Sequence, residues 1–320
     1  VYMKQLINFC PVHGYKEEIA AYPGGMDGYL KDSNLDGVEL YVYDTKPYEE
    51  DYSKWTTGVH LKYWPYWLDF WHNNQAELAR NHKNKQEMEA YFNGAVNCDQ
   101  WLEVIQKNIT ASLAVKPEYL VWHVSHCGLQ EAFTRKYTYN DEQIIDATVE
   151  VFNSISACVP DDVTVLFENL WWPGLTLTNP QIVDRFFSKL NKSNVGIMLD
   201  TGHLMSTNLE LQSEKEALAY IKKVVHNLGS YKDLVQGMHF SCSLSGEYQK
   251  NSIGAMPAGI TMGEILQHIG KIDQHRIFTE APLKEFLEYT APKYLVHELF
   301  YNTMEELQKF IAKEQQLMLR

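Results

Sequence analysis

Short apolar runs rich in β-branched residues recur along the chain, each followed by a loop and then by a stretch of helical period. That alternation marks strand–helix units, whose strands lie parallel. Eight runs are expected as strands: residues 3–9, 37–42, 57–61, 119–123, 163–168, 195–200, 237–240 and 276–280. Helices are expected over 66–91, 99–113, 141–158, 180–190, 214–228, 261–269 and 296–313. Eight such units can lie as an open doubly wound sheet or close on themselves, and the repeat count favours closure: an α/β fold of the (β/α)8 TIM-barrel class. The connection 43–56 contains Pro47 and few helix formers, so its helix is expected to be short or missing. Two helices are expected instead within 63–113, an insert after the third strand that would form a wall or lid. A chain of 320 residues exceeds the roughly 250 of an ordinary barrel, and the insert accounts for the excess. No Gly/Ser linker interrupts the pattern, so residues 1–320 read as a single domain.

Charge narrows the partners. With 28 Lys plus Arg against 41 Asp plus Glu the formal net charge is -13, a field that repels a phosphate backbone, and nucleic acid is disfavoured as a partner. No run of about 18 apolar residues occurs, which argues against a membrane span. The stretch Val1, Tyr2, Met3, Lys4 lacks the order of a signal peptide. Cys10, Cys98, Cys127, Cys158 and Cys242 are odd in number and contain no C-x-x-C pair, which fits reduced thiols and a cytoplasmic setting. A homo-oligomer is compatible with all of this.

The functional signal lies where polar residues fall. Six expected strands end on a metal-ligand type of residue: His60, His123, Glu168, Asp200, His239 and Glu280. His203 follows Asp200 in L-D-T-G-H, and a first helical turn would swing it to the same mouth. In a parallel barrel the carboxyl ends of all strands open on one face, so these positions converge. A lone residue of this kind is more often a hydrogen-bonded cap. Seven together would cost several kcal/mol per uncompensated charge unless a cation sat among them. Mixed imidazole and carboxylate donors suit Mn, Zn or Co, one or two ions per chain, better than Ca or Mg.

The sequence of strand ends, with F-E-N at the fifth, L-D-T-G-H at the sixth and T-E at the eighth, resembles the xylose isomerase-like TIM-barrel superfamily. That group includes endonuclease IV-type apurinic endonucleases, ketose 3-epimerases, inosose dehydratases and sugar isomerases. The resemblance implies a four-ligand site for one Mn or Co ion at Glu168, Asp200, His239 and Glu280. It implies His60 and His123 as further ligands of a second ion in the endonuclease branch, and Glu39 as a residue that orients its neighbours. The endonuclease branch builds a third zinc site from the strand-six His, here His203, and a D-x-H pair shortly after strand seven. Residues 240–254 contain neither Asp nor His, so that site is expected to be incomplete. The epimerase branch places an Arg and a Glu where this chain has Ser245 and Gly174.

The resemblance implies a divalent-metal-dependent sugar or sugar-phosphate isomerase or epimerase, with Glu168 and Glu280 moving a proton at the carbon next to a polarised carbonyl. The alternative is a dinuclear metal hydrolase of the endonuclease IV type acting on a phosphoester; a non-enzymatic sugar-binding barrel is a third class. A small sugar-like substrate would find aromatic faces in Trp64, Trp171 and Trp172, expected in loops at the mouth. Trp67, Phe70 and Trp71 fall at helical spacing and are expected to pack the insert. Asn169 could bond a substrate hydroxyl or cap its own loop, and His203 could touch substrate as well as metal. Basic residues near strand ends are few: Arg135, Lys136, Lys250 and Lys284 could hold one phosphate or stay solvated.

Overall fold

The structure, a computed structural model, describes residues 2–11 and 14–320. Eight parallel strands close into a barrel in chain order: β1 (Lys4–Phe9), β2 (Gly37–Val42), β3 (Thr56–Leu61), β4 (Tyr119–His123), β5 (Thr164–Glu168), β6 (Val195–Asp200), β7 (Val235–Phe240) and β8 (Tyr294–His297), with β8 pairing back onto β1. Helices cover the outside, and the fold is a (β/α)8 barrel with a helical insert after β3. No helix among the described residues is long and apolar enough to cross a membrane.

One strand is misplaced by the sequence reading. Residues 276–280 are not the eighth strand; Arg276 makes only an isolated antiparallel bridge to Cys242. The eighth strand is the four-residue run Tyr294–His297, within the stretch expected to start the last helix, which runs instead from Met304 to Met318. Two helices between β1 and β2, Tyr15–Ala21 and Gly25–Asp32, also went unread.

Strand alternation sorts the interior into layers. Leu6, Tyr119, Val121, Leu166, Met198, Tyr294 and Val296 form a buried apolar plug. Gly58 leaves room for the Tyr119 ring, since a Cβ there would lie 2.0 Å from it. One pleat further along the strands, the inward positions are Asn8, Glu39, His60, His123, Glu168, Asp200 and His239, and Glu298 stands just past β8. The upper interior layer is therefore polar on all eight strands.

Between β2 and β3 no helix forms, as the composition suggested. The insert begins not with one helix but with three short ones, Leu68–Trp71, Gln75–Asn81 and Lys85–Tyr91, before the long helix Cys98–Leu113. Asparagines divide it: Asn74, Asn84 and Asn97 each accept a bond from an amide in the next helix's first turn. The long helix packs on both β2 and β3, and its buried Asn108 donates to the carbonyls of Val42 and Asp44 at 2.8 and 2.7 Å. Near the start of the insert, buried His126 accepts bonds from the amides of Trp67 and Leu68 at 3.2 and 3.1 Å.

Candidate metal centre

Glu168 sits at the centre of the polar layer, 1% exposed. One carboxylate oxygen, Oε2, lies 3.0 Å from His123 Nε2 and 3.4 Å from His60 Nε2. The other, Oε1, lies 3.2 Å from His203 Nδ1 and 3.3 Å from His239 Nδ1. Glu298 Oε2 lies 3.0 Å from the same His239 Nδ1. Three adjoining groups have ligand atoms within 4.8 Å of one another: His60, His123 and Glu168; Glu168, Asp200, His239 and Glu298; and His203, Asp273 and His275.

The outer ring nitrogens decide what the inner ones can do. His60 Nδ1 donates to the Leu61 carbonyl at 3.0 Å, His203 Nδ1 to the Asn169 carbonyl at 2.8 Å, and His275 Nδ1 to the Glu298 carbonyl at 2.9 Å. His239 Nε2 donates to Glu39 Oε1 at 2.9 Å, and Glu39 is itself held by Asn8 Nδ2 and the Tyr119 hydroxyl at 2.9 and 2.8 Å. An imidazole whose outer nitrogen carries the proton presents a lone pair on the inner one. These lone pairs face carboxylate lone pairs, and both oxygens of Glu168, Asp200 Oδ2, His239 Nδ1 and Glu298 Oε2 are buried without a hydrogen bond of usable geometry. Either extra protons or cations must lie between them. Glu39, His60 and His239 also lie within ligand distance, but Glu39 is saturated by its three donors and serves as their anchor.

Without a cation the compensation falls on protons. Burial alone would push His239 down, but Glu298, Glu39 and Glu168 hold it well above its ordinary pKa; for His203 burial is overcome by Asp200 and Asp273. Burial would raise Glu168 and Glu298, yet the neighbouring imidazoles, His123 and His239 first, hold both well below the carboxylate range. Asp200 goes the other way: burial, reinforced by Glu298, Asp273 and Glu168, raises it well above. His275, paired at 2.6 Å with Asp273, rises against burial to about 10. Divalent ions would remove this strain of opposed charge, and the donor set fits them.

The structure relocates several expected residues. Glu280 is exposed and far from the role assigned to it; its amide, with those of Thr279 and Ala281, caps the Glu214 carboxylate. Glu298, directly after β8, stands where the eighth-strand acid was expected. Trp64 is not at the mouth but inside the insert, 6% exposed, donating from Nε1 to the Tyr91 carbonyl and set edge-on to Trp101. Trp67 and Phe70 pack there too. Trp171 lies on His203 with ring centres 5.0 Å apart, and Trp172 is buried beside it. The Asn169 side chain is fully used within the fold: its Nδ2 donates to the Asp200 carbonyl at 3.0 Å and its Oδ1 accepts from the Asp200 amide at 2.9 Å.

The sequence reading missed Glu298, Asp273 and His275. Asp273 and His275 form the D-x-H pair, which lies beyond the helix Met262–Ile272 and not in the segment directly after β7. His275 is held in a left-handed backbone, φ 43, that a side chain seldom adopts. Glu298 closes Y-L-V-H-E at 294–298 as Glu168 closes V-T-V-L-F-E at 163–168, but the strand before it is only four residues long.

No family model matches the chain, and no curated protein matches it. Solved structures do. It is similar over 100% of both chains to 3-keto-D-glucoside 4-epimerase from E. coli, at 12% identity and a TM-score of 0.52. It is similar over 99% of both to endonuclease IV from Thermus thermophilus, at 11% identity and 0.52. A sugar phosphate isomerase/epimerase from Parabacteroides distasonis matches over 99% of this chain and 96% of its own, at 12% and 0.50. The closed (β/α)8 barrel that carries these three groups of imidazoles and carboxylates is thus a fold shared with a sugar epimerase and with an endonuclease IV.

Proposed function

We propose that the chain is a metal-dependent phosphoesterase holding ions in three adjoining groups, His60–His123–Glu168, Glu168–Asp200–His239–Glu298 and His203–Asp273–His275. The observation that carries this reading is the third group: Asp273 and His275 supply, with His203, the element whose apparent absence from the sequence argued against phosphoester chemistry. The two-sided Glu168 supports it, since a single-ion site has no use for a carboxylate shared by the His60–His123 group and the Asp200–His239–Glu298 group. Divalent ions in such groups supply Lewis-acid polarisation of phosphoryl oxygens and acidify water. The protein's part is positional. Glu39, backed by Tyr119 and Asn8, fixes which nitrogen of His239 faces inward; Asn169 ties the ends of β5 and β6 and anchors His203. Trp171 shields His203 and offers a ring face to an apolar part of the substrate. The fold shared with an endonuclease IV adds to the reading, while a charge of -13 favours a small diester over duplex nucleic acid.

A second reading, a sugar isomerase or epimerase, is favoured by the fold shared with 3-keto-D-glucoside 4-epimerase and by two acids, Glu168 and Glu298, flanking His239 at the mouth. One experiment separates them. Protein loaded with zinc or manganese is given bis(p-nitrophenyl) phosphate in one arm and a panel of ketoses in deuterated water in the other. Release of nitrophenolate that Glu168→Gln abolishes supports the phosphoesterase; exchange of a substrate α-proton without ester hydrolysis overturns it in favour of the isomerase.

A further inference from the structure

Arg135 ends the four-residue helix Glu131–Thr134 in the loop after β4, with a left-handed backbone, φ 53, that a residue other than Gly, Asn or Asp rarely takes. Its guanidinium is half-buried. Among the described residues no carboxylate pairs with it, and its one hydrogen-bond partner is the neutral side-chain oxygen of Gln249. Burial, only partly offset by Tyr137 and Cys127, pulls its pKa below the ordinary value. The cation on the helix that carries Gln249 differs: Lys250, within Gly246–Ser252, pairs with Glu210 at 2.6 Å. A guanidinium partly withdrawn from water and left without an anion costs free energy that a bound anion would restore.

A chain of contacts joins it to the metal centre. Gln249, fully buried, donates from its other end to the Ser206 carbonyl and to Ser245 Oγ. Ser206 closes the turn that carries His203, and its hydroxyl donates to the Ile272 carbonyl, next to Asp273. The helix preceding Arg135 contributes Phe133 to an apolar group with Leu170 and Trp172, against which Tyr137 and Trp171 pack. Trp171 in turn lies on His203.

We infer that Arg135 binds a second anionic group of the substrate, a phosphate set apart from the ester at the metal centre, with the ring that joins the two lying against the aromatic wall at Trp171. The inference rests on the phosphoesterase reading and narrows its substrate to small phosphodiesters that carry another phosphate. Gln249 aims the guanidinium, whose planar fork suits two phosphate oxygens better than a lysine would. Lys136, exposed beside it, needs no such partner.

Two esters that differ by one phosphate test this: thymidine 5′-(p-nitrophenyl phosphate) and its 3′-phosphorylated form. Arg135→Ala is expected to raise KM for the phosphorylated ester about 10-fold more than for the other, with kcat little altered, and Arg135→Lys to fall between. A residue that merely braced the loops through Gln249 would move both esters alike. Independently of turnover, calorimetry with inorganic pyrophosphate on the metal-free protein should show binding that weakens about 10-fold in Arg135→Ala. If the wild type hydrolyses neither ester but loses pyrophosphate binding with Arg135→Ala, the anion site stands and the phosphoesterase reading falls. A wild type that binds no pyrophosphate, a variant that binds it as tightly, or equal KM changes for both esters overturns the role of Arg135. Arg135→Lys, melting like the wild type, guards against a fold defect.

Discussion

Replacing Glu168 by Gln removes the one carboxylate that faces two groups at once. Its oxygens lie 3.0 to 3.4 Å from four imidazole nitrogens, those of His123, His60, His203 and His239. Two unit charges about 4 Å apart interact by about 4 kcal/mol at the effective dielectric of ~20 that suits protein sites. A divalent ion doubles the attraction, and desolvation returns a share, so about 4 kcal/mol per ion is a fair net figure, a loss of roughly 10³ in affinity at each group. After dialysis against metal-free buffer, elemental analysis should find ions in all three groups of the wild type. Glu168→Gln should keep only the ion of His203, Asp273 and His275, which do not use that carboxylate. Glu298→Gln should lose the middle ion, and Glu280→Gln should lose none because Glu280 is exposed. A full complement of metal in Glu168→Gln, or equal loss in Glu280→Gln, would refute the assignment of the groups.

Other outcomes follow from single contacts. Tyr119→Phe withdraws the hydroxyl that bonds Glu39 Oε2 at 2.8 Å; with the anchor of His239 loosened, metal affinity at the middle group should fall about 10-fold in a competition titration. Trp64→Phe keeps the ring in the insert but loses the bond to the Tyr91 carbonyl, so chemical denaturation should show a loss of about 1 kcal/mol while KM stays at the wild-type value. His126 is held neutral by burial, its pKa lowered to about 3, whereas in the unfolded chain it takes up a proton near 6.5. Between those values the unfolded state binds more protons, so stability falls as the pH falls; from pH 6.5 to 4 the wild type should lose about 3 kcal/mol more than His126→Asn, and parallel pH profiles would contradict this.

Much of the barrel was legible because alternation and strand ends obey one rule: where an apolar pleat carries an acid or imidazole two positions on, that residue rises from the plug to the mouth. His60, His123, Glu168, Asp200 and His239 all followed it. The rule failed at the eighth strand because Tyr294–His297 is too short to show a period, while residues 276–280 carry a strand-like composition in a segment held by a single bridge and by Glu214. Asp273 and His275 were hidden for another reason. They reach the mouth from a loop after a helix, where no periodicity points inward and a left-handed turn at His275 does the aiming. Trp64 misled because three asparagine caps fold the insert back on itself, and composition alone cannot tell such a folded segment from an open loop.

The helix Cys98–Leu113 lies over β2 as well as β3, and Asn108 closes the backbone at the end of β2 where no helix of its own follows. The insert is thus not an accessory grafted onto a finished barrel. One helix serves as the outer wall for two neighbouring strands, so the eightfold repeat of the sheet is matched by an uneven repeat of helices. Trimming the insert to reach a minimal barrel would strip two adjacent strands, including the one that carries His60, and an engineered version of this scaffold would have to supply a new helix after β2 before the insert became dispensable.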